Sequence, residues 1–313
     1  TDANAIAQYG ATTQVVADAP SGFEKSLKWT TTSSGTIPAT GEVLFRQKIE
    51  GYNITHLNYG ASTAKELTLS FYVKASIAGN YGVTIQFEDS GSTNRYNLRS
   101  YTVSAANTWE RVTVSIPANT ANAFKNKTNL VGMTINWDLG EGTDYTGSVT
   151  GNWQSTYVNG LTGGVKIADN NGATWQITGV QLEVGDTATD FEHRTYADDL
   201  AMCQRFFHSV TVKADNTPVA VGAYYTGTSV YATVYFPVTM RTNPSLISSN
   251  TAGHFHVFRN GNVDAIDGWA GLQSAGLSQT TFYIASGPNS TTGSACWIET
   301  NDAAAITQFN AEL

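Results

Sequence analysis

Apolar residues in this chain recur at every second position, and that period restricts the fold more than any other feature. From Leu67 to Ala75, the residues Leu67, Leu69, Phe71 and Val73 alternate with Thr68, Ser70, Tyr72 and Lys74. An extended strand places these two sets on opposite faces. The same alternation marks Val83, Ile85 and Phe87, then Val112, Val114 and Ile116, then Val131, Met133, Ile135 and Trp137. It predicts sheets with one dry and one wet face. Between Trp175 and Val184 the apolar set changes parity, from Trp175 and Ile177 to Val180, Leu182 and Val184. A β-bulge at Thr178-Gly179 accounts for the change. Gly, Asn, Ser and Thr loops separate these strands and no long amphipathic helix intervenes, so the sheets close by packing on each other. The expected fold is all-β: two antiparallel β-sandwich, jelly-roll-like modules joined by one short helix.

A chain of 313 residues accommodates two such cores. Residues 1–19 read as an N-terminal extension and 20–190 as the first jelly roll. Its Gly140–Gly164 stretch, rich in Gly, Thr and Asn, reads as a long loop decorating one end. Composition shifts at Asp190-Phe191-Glu192-His193-Arg194. Asp198 and Asp199 then precede Leu200, Cys203 and Phe207 at helical spacing, which suits a helix start. Residues 191–207 are therefore the expected helical joint, and 208–313 the second sandwich. In that part, Val219–Thr226 and Ser229–Pro237 flank Gly227 as a hairpin. Asn260-Gly261 carries the signature of a type I′ turn, and strands are expected near Thr281–Ala285 and Ala295–Thr300.

Only 13% of residues are charged and the net charge is −8. No basic surface is available to neutralise phosphates, which argues against nucleic acid as a partner. No apolar run is long enough for membrane insertion as a helix. Cys203 and Cys296 are too few for a disulfide framework or a Cys-rich zinc site, and two reduced thiols are expected. Thr1–Gly10 lacks the basic and apolar segments of a signal peptide. With no initiator Met, the chain is expected to begin inside a longer gene product or to have been trimmed.

Three constellations carry candidate chemistry. Asp138, Glu141 and Asp144 offer oxygen ligands of the kind calcium takes, but their spacing is not that of a helix-loop-helix site, and a solvated acidic loop without metal is expected. Tyr145, Trp153 and Tyr157 follow closely; their ring faces suit stacking on sugars, or else they pin the loop to the body of the domain. These three are the candidate ligand-binding residues. His254 and His256 are spaced to share a strand face, and His193 lies among charges at the joint. The pair is expected to be a surface pair without metal, and His193 a structural contact at the joint rather than an acid or base. Acids fall singly along the chain, and nucleophile, phosphate-loop and dinucleotide signatures are missing. Neither catalytic residues nor a cofactor are expected.

One longer segment resembles a known family. Gly179-Val180-Gln181-Leu182-Glu183-Val184-Gly185, then Phe191-Glu192-His193-Arg194, Tyr196, Leu200 and Cys203-Gln204-Arg205-Phe206-Phe207, is similar to a stretch common in tail-fibre and appendage proteins of marine bacteriophages. Gln47-Lys48-Ile49-Glu50-Gly51 and Leu67–Lys74 upstream are similar as well, as are Phe236-Pro237-Val238-Thr239-Met240-Arg241 and Asn243-Pro244 downstream. Asp190 departs from the pattern, which has Pro before Phe191. In outline the jelly-roll part also resembles carbohydrate-binding modules.

The resemblance implies a virion protein, assembled in the host cytoplasm with other virion proteins as partners, and together with the aromatic loop it points to a host-surface glycan as the recognised ligand; the missing catalytic signatures leave no enzyme expected. It also implies a homotrimer, for which Tyr224, Tyr231, Tyr235 and Tyr283 on wet strand faces suit an interface. Two alternatives stay open: a purely structural decoration or spacer of the virion, and a carbohydrate-binding module of a secreted enzyme.

Overall fold

The computed structural model describes residues 10–33, 35–211, 214–266, 268–284 and 289–313. Contacts divide the chain into two units, Thr1–Glu192 and His193–Leu313. Both are all-β sandwiches, as the two-residue period predicts.

The first unit contains β1 (Ala11–Val16), β2 (Ser26–Thr31), β3 (Glu42–Glu50), β4 (Leu67–Ala75), β5 (Gly79–Glu88), β6 (Asn94–Val103), β7 (Glu110–Ile116), β8 (Val131–Glu141), β9 (Thr146–Gly147), β10 (Gly160–Leu161) and β11 (Thr174–Val184). A five-stranded sheet runs β1-β2-β11-β4-β7 and a four-stranded sheet runs β3-β8-β5-β6. The alternating residues meet between them: Leu69, Phe71 and Val73 from one sheet, and Val83, Ile85, Ile135 and Trp137 from the other, are essentially inaccessible. Phe71 sets its ring edge-on to Trp137 at 5.7 Å and to Tyr101 at 5.2 Å. The Trp175 indole donates to the Tyr101 hydroxyl across the sheets at 3.1 Å. Burying each such side chain contributes about 1.5–3 kcal/mol, and the indole bond keeps a polar atom satisfied inside that layer.

The bulge lies where the parity change puts it. The β11–β4 register slips between Thr178 and Gln181, and Gly179 takes φ +59° there. Two expectations for this unit are corrected. Residues 11–16 were assigned to an extension, but they pair with β2 as the edge strand of the five-stranded sheet. The second face of β4 was expected to be wet, yet Thr68 and Ser70 are buried on it. Part of the reason is that the chain turns back after β11, where Thr68 Oγ1 donates to the Gly185 carbonyl at 2.7 Å.

The second unit contains α1 (Tyr196–Gln204), β12 (Phe207–Ser209), β13 (Pro218–Tyr224), β14 (Val230–Tyr235), β15 (Ser245–Ser248), β16 (Phe255–Arg259), β17 (Asn262–Ile266), β18 (Gly271–Ala275), β19 (Gln279–Ile284), β20 (Ala295–Thr300) and β21 (Thr307–Asn310). Its sheets run β12-β21-β15 and β17-β16-β20-β13-β14-β19-β18. Phe309 of the smaller sheet joins Phe236, Phe282 and Trp269 in one core. Helix α1 starts as its sequence indicates: the Thr195 hydroxyl accepts from Asp198 N at 3.3 Å, and both acids sit in the first turn. It ends sooner than expected, because Phe207 opens β12 instead of continuing the helical face. Asn260 (φ +46°) and Gly261 (φ +73°) form the tight turn between β16 and β17, both in the left-handed region that a type I′ turn requires.

Tyr224 corrects the expected tyrosine face. It pairs with buried Val230 and is itself only 1% exposed, whereas Tyr231 pairs with Ala223 and Tyr283 on the opposite side of the sheet. Cys203 is exposed and Cys296 buried, and both are free thiols.

Candidate functional site

The four-stranded sheet of the first unit has a polar outer face, and the chain between β8 and β11 folds over it. On β8 the odd residues Met133, Ile135 and Trp137 enter the core, so the even residues Thr134, Asn136 and Asp138 point outward. Above them lies the 143–162 stretch, with β9 paired to β10 and Gln154 bridged to Tyr96 of β6. Tyr96, Leu98 and Val158 form a small second apolar cluster beneath it, packed by Tyr157 and Leu161. This stretch was expected to decorate one end of the sandwich; it covers a sheet face. Its alternation of Val158, Gly160 and aromatics supplies the small and apolar contacts that make covering possible.

A run of polar groups links the sheet to its cover. Arg46 Nε donates to Asn136 Oδ1 at 2.7 Å, Asn136 Nδ2 donates to Asn159 Oδ1 at 3.2 Å, and Asn159 Nδ2 donates to the Tyr157 hydroxyl at 2.7 Å. Tyr157 then donates to the Glu42 carboxylate. Each amide is oriented by its neighbours, since its oxygen must accept and its nitrogen donate. Tyr157 stands edge-on between Tyr96 at 5.2 Å and Tyr145 at 4.9 Å. Arg46 is exposed, while Glu42, Tyr145 and Tyr157 are half-buried, so a cation, a carboxylate and tyrosine rings adjoin at the margin of the covered face.

Behind this margin the acids do not fall singly, as the sequence suggested. Glu42 and Glu141 are directly paired across β3 and β8, and Asp138 is close by: a Cβ at Gly160 would meet both Glu141 and Asp138 Oδ2. Glu141 is fully buried, and only the Val43 backbone and the Arg46 charge favour its ionised form. Burial, reinforced by the Asp138 and Glu42 charges, pushes its carboxyl up to about 10. Burial likewise raises Asp138 to about 7, although the Leu161 N–H at 3.1 Å opposes this. Glu141 is thus held neutral at neutral pH, and Asp138 is shifted in the same direction.

The candidate residues are thus partly separated. Tyr145 and Tyr157 come together, but Trp153 lies elsewhere, donating from its indole to the Pro117 carbonyl at 2.9 Å with its ring edge-on to Phe87 and Tyr59. The proposed acidic loop also divides. Asp138 and Glu141 belong to β8 and are buried, and Asp144 is exposed beyond its end. Among the described residues no group of three or more His, Cys, Asp or Glu side chains is arranged to hold a metal ion. His254 precedes β16 and its Nδ1 is paired with Ser249 Oγ at 2.9 Å, while His256 lies within the strand. His193 is exposed at the start of the second unit. Sequence reasoning missed Glu42, Arg46, Asn136 and Asn159. The outward parity of Asn136 was readable, but the register that brings Glu42 to Glu141 was not.

No family model matches the chain, and no curated protein matches it. Solved structures match it only at low similarity. The CBM22-1 xylan-binding domain from Paenibacillus barcinonensis Xyn10C is 14% identical, covering 57% of this chain and 84% of that one with a TM-score of 0.30. The CBM22-1-CBM22-2 tandem domain of the same protein is 10% identical over 97% of this chain and 92% of that one, with a TM-score of 0.30. The enzymatically active domain of bacteriophage CBA120 tailspike protein 4 is 14% identical over 56% of this chain but only 18% of that one, with a TM-score of 0.31. Ligands are not transferable at these scores, so the site is argued from its own groups.

Proposed function

We propose that this chain is a non-catalytic, glycan-binding module of a bacteriophage virion appendage, and that its first unit recognises a host-surface glycan. The observation that carries this reading is the margin where Tyr145 and Tyr157 adjoin the Glu42 carboxylate and the Arg46 guanidinium. A sugar presents an apolar ring face and fixed hydroxyls, and this set supplies an aromatic surface, an acceptor and a donor already held in place. Orientation set before binding lowers the cost of ordering side chains on association. The fully buried Glu141 and nearly buried Asp138 are out of reach of a polysaccharide, which favours binding over hydrolysis. Placement in a virion, and assembly as a homotrimer beside other virion proteins, rest on the resemblance described above.

Binding of the full chain to host cells and to their isolated surface polysaccharide is the test. Tyr145→Ala and Arg46→Ala are expected to weaken binding at least tenfold without altering the far-UV spectrum. Unchanged binding in both variants would remove the first unit as the recognition site. Release of reducing ends would show an enzyme, and a monomer in light scattering and in the particle would exclude the trimer.

A further inference from the structure

The outer face of the seven-stranded sheet in the second unit carries another aromatic surface, which the reading of the first unit does not use. Register sets its residues side by side. Trp297 on β20 is paired with Phe258 on β16 and with Val221 on β13. The Phe258 and Trp297 rings stack at 4.8 Å and 5°. Two residues further along the same strands, Glu299 stands opposite His256. On the other side of β13, Tyr231 of β14 stacks on Tyr225 at 4.8 Å and 6°. The intervening outward positions are occupied by small side chains, Ala223 and Thr233 among them.

Trp297 is 50% exposed and Tyr225 65%, with Val221 beside Trp297 73% exposed, while Phe258 and Tyr231 are half-buried. The inward partners on the same strands, Val257, Ile298 and Ala232, are buried. The core therefore does not need the outer rings. Wet faces of antiparallel sandwiches ordinarily carry polar residues at such positions, and a cluster of exposed apolar side chains marks a binding surface.

The arrangement selects among ligands. Two inter-strand spacings and a two-residue offset place the Trp297 and Tyr231 positions about 12 Å apart, close to the separation of alternate rings in an extended chain of pyranoses. Phosphate-bearing ligands lack a cationic counterpart, because Glu299 is the one formally charged residue among the described outward positions of β13, β14, β16, β19 and β20. A protein partner packs best on a continuous apolar centre. This face is interrupted by the Glu299–His256 pair and by the bonded hydroxyls of Thr233 and Thr281 at 3.1 Å.

We infer that this face is a second carbohydrate-binding surface, in which Trp297 and Tyr225, each backed by its stacked neighbour (Phe258 and Tyr231), contact alternate rings of a neutral oligosaccharide while Glu299 and His256 hold hydroxyls at one end. A carboxylate accepts from two hydroxyls at once and an imidazole N–H donates, so the polar pair complements the rings. The inference goes beyond the reading of the first unit and stands separately from it.

The experiment is calorimetric titration of the full chain with cellohexaose, xylohexaose and mannohexaose, repeated on Trp297→Ala, Tyr231→Ala, Glu299→Gln and the first-unit variant Tyr145→Ala. At least one hexaose is expected to bind. Trp297→Ala and Tyr231→Ala should each weaken it by about tenfold or more, Glu299→Gln should weaken it less, and Tyr145→Ala should leave this component unchanged. Failure of all three sugars to bind the unaltered chain would overturn the inference. So would binding that is lost in Tyr145→Ala but kept in Trp297→Ala, which leaves the first-unit reading intact. Light scattering covers the remaining occupant: an oligomer that dissociates in Trp297→Ala with unchanged sugar affinity would make this face a contact between copies and would also sink the proposal.

Discussion

Glu42 and Glu141 occupy directly opposite positions on neighbouring antiparallel strands, with Glu141 fully buried. Like charges so placed destabilise a sheet, so the fold tolerates the pair by keeping Glu141 protonated. Its carboxyl rises from 4.5 to about 10, and that of Asp138 from 3.8 to about 7.

The pH dependence follows from those directions. An acid whose folded pKa lies above its unfolded value holds its proton more tightly when folded, so stability is lost as pH rises between the two values. Asp138 acts from 3.8 to about 7 and Glu141 from 4.5 to about 10, so both oppose folding as pH rises through that range. Thermal unfolding is expected at a higher temperature at pH 5 than at pH 8. Glu141→Gln should raise the pH 8 value and flatten the slope. A midpoint that stays level or climbs from pH 5 to pH 8 would contradict the neutral-acid account.

Trp153 should matter to stability more than to binding. Its indole ties the covering stretch to Pro117, and its ring rests on Phe87 and Tyr59. Trp153→Ala is expected to cost about 3–5 kcal/mol. Trp153→Phe removes mainly the hydrogen bond and should cost about 1 kcal/mol. Denaturant titration with glycan binding measured in parallel distinguishes the two roles: a large loss of affinity at unchanged stability would return Trp153 to the ligand site.

Two glycines with similar backbone angles should respond differently to alanine. Gly179 in the bulge has φ +59°, and a Cβ there would meet the Phe23 ring at 2.6 Å. Gly261 in the hairpin turn has φ +73° with nothing within 4 Å. Gly261→Ala carries backbone strain alone, about 1 kcal/mol. Gly179→Ala adds displacement of an aromatic ring and should cost about 2–3 kcal/mol. Equal unfolding midpoints for the two variants would show that the bulge yields without shifting Phe23.

What the sequence made legible was local. The period of two located β4, β5, β7 and β8, the parity change located the bulge, and Asn260-Gly261 located a hairpin, because each depends on a few consecutive residues. The wet face of β4 was misread because its cover at Gly185 comes from a segment more than a hundred residues away. Tyr224 was misplaced because its side of the sheet follows from pairing with Val230. At the candidate site, Tyr145 and Tyr157 were visible as neighbouring aromatics in a polar stretch. Glu42 and Asn159 become partners only through register and loop closure, which single-strand patterns do not encode.

Asn159 is the amide through which the covering stretch is fastened to the sheet, and its chemistry gives a directional test. Fully buried, it accepts from Asn136 Nδ2 at 3.2 Å and donates to the Tyr157 hydroxyl at 2.7 Å, while its carbonyl accepts from Thr84 Oγ1 at 3.2 Å. An aspartate at this position keeps the shape and the acceptor but, when ionised, loses the donor to Tyr157. It also adds a charge near Glu42, whose oxygen the same tyrosine serves. Asn159→Asp is therefore expected to destabilise the first unit by about 2–4 kcal/mol at pH 8. When protonated, the aspartic acid regains an O–H donor in the same place, and the added repulsion disappears. The deficit relative to the unaltered chain should shrink as pH falls from 8 to 5, and Asn159→Ala, which has no proton to gain, should show a deficit nearly independent of pH. Unfolding curves for the three proteins across that range measure both effects, and parallel pH profiles for the Asp and Ala variants would show that Asn159 fills space without orienting Tyr157.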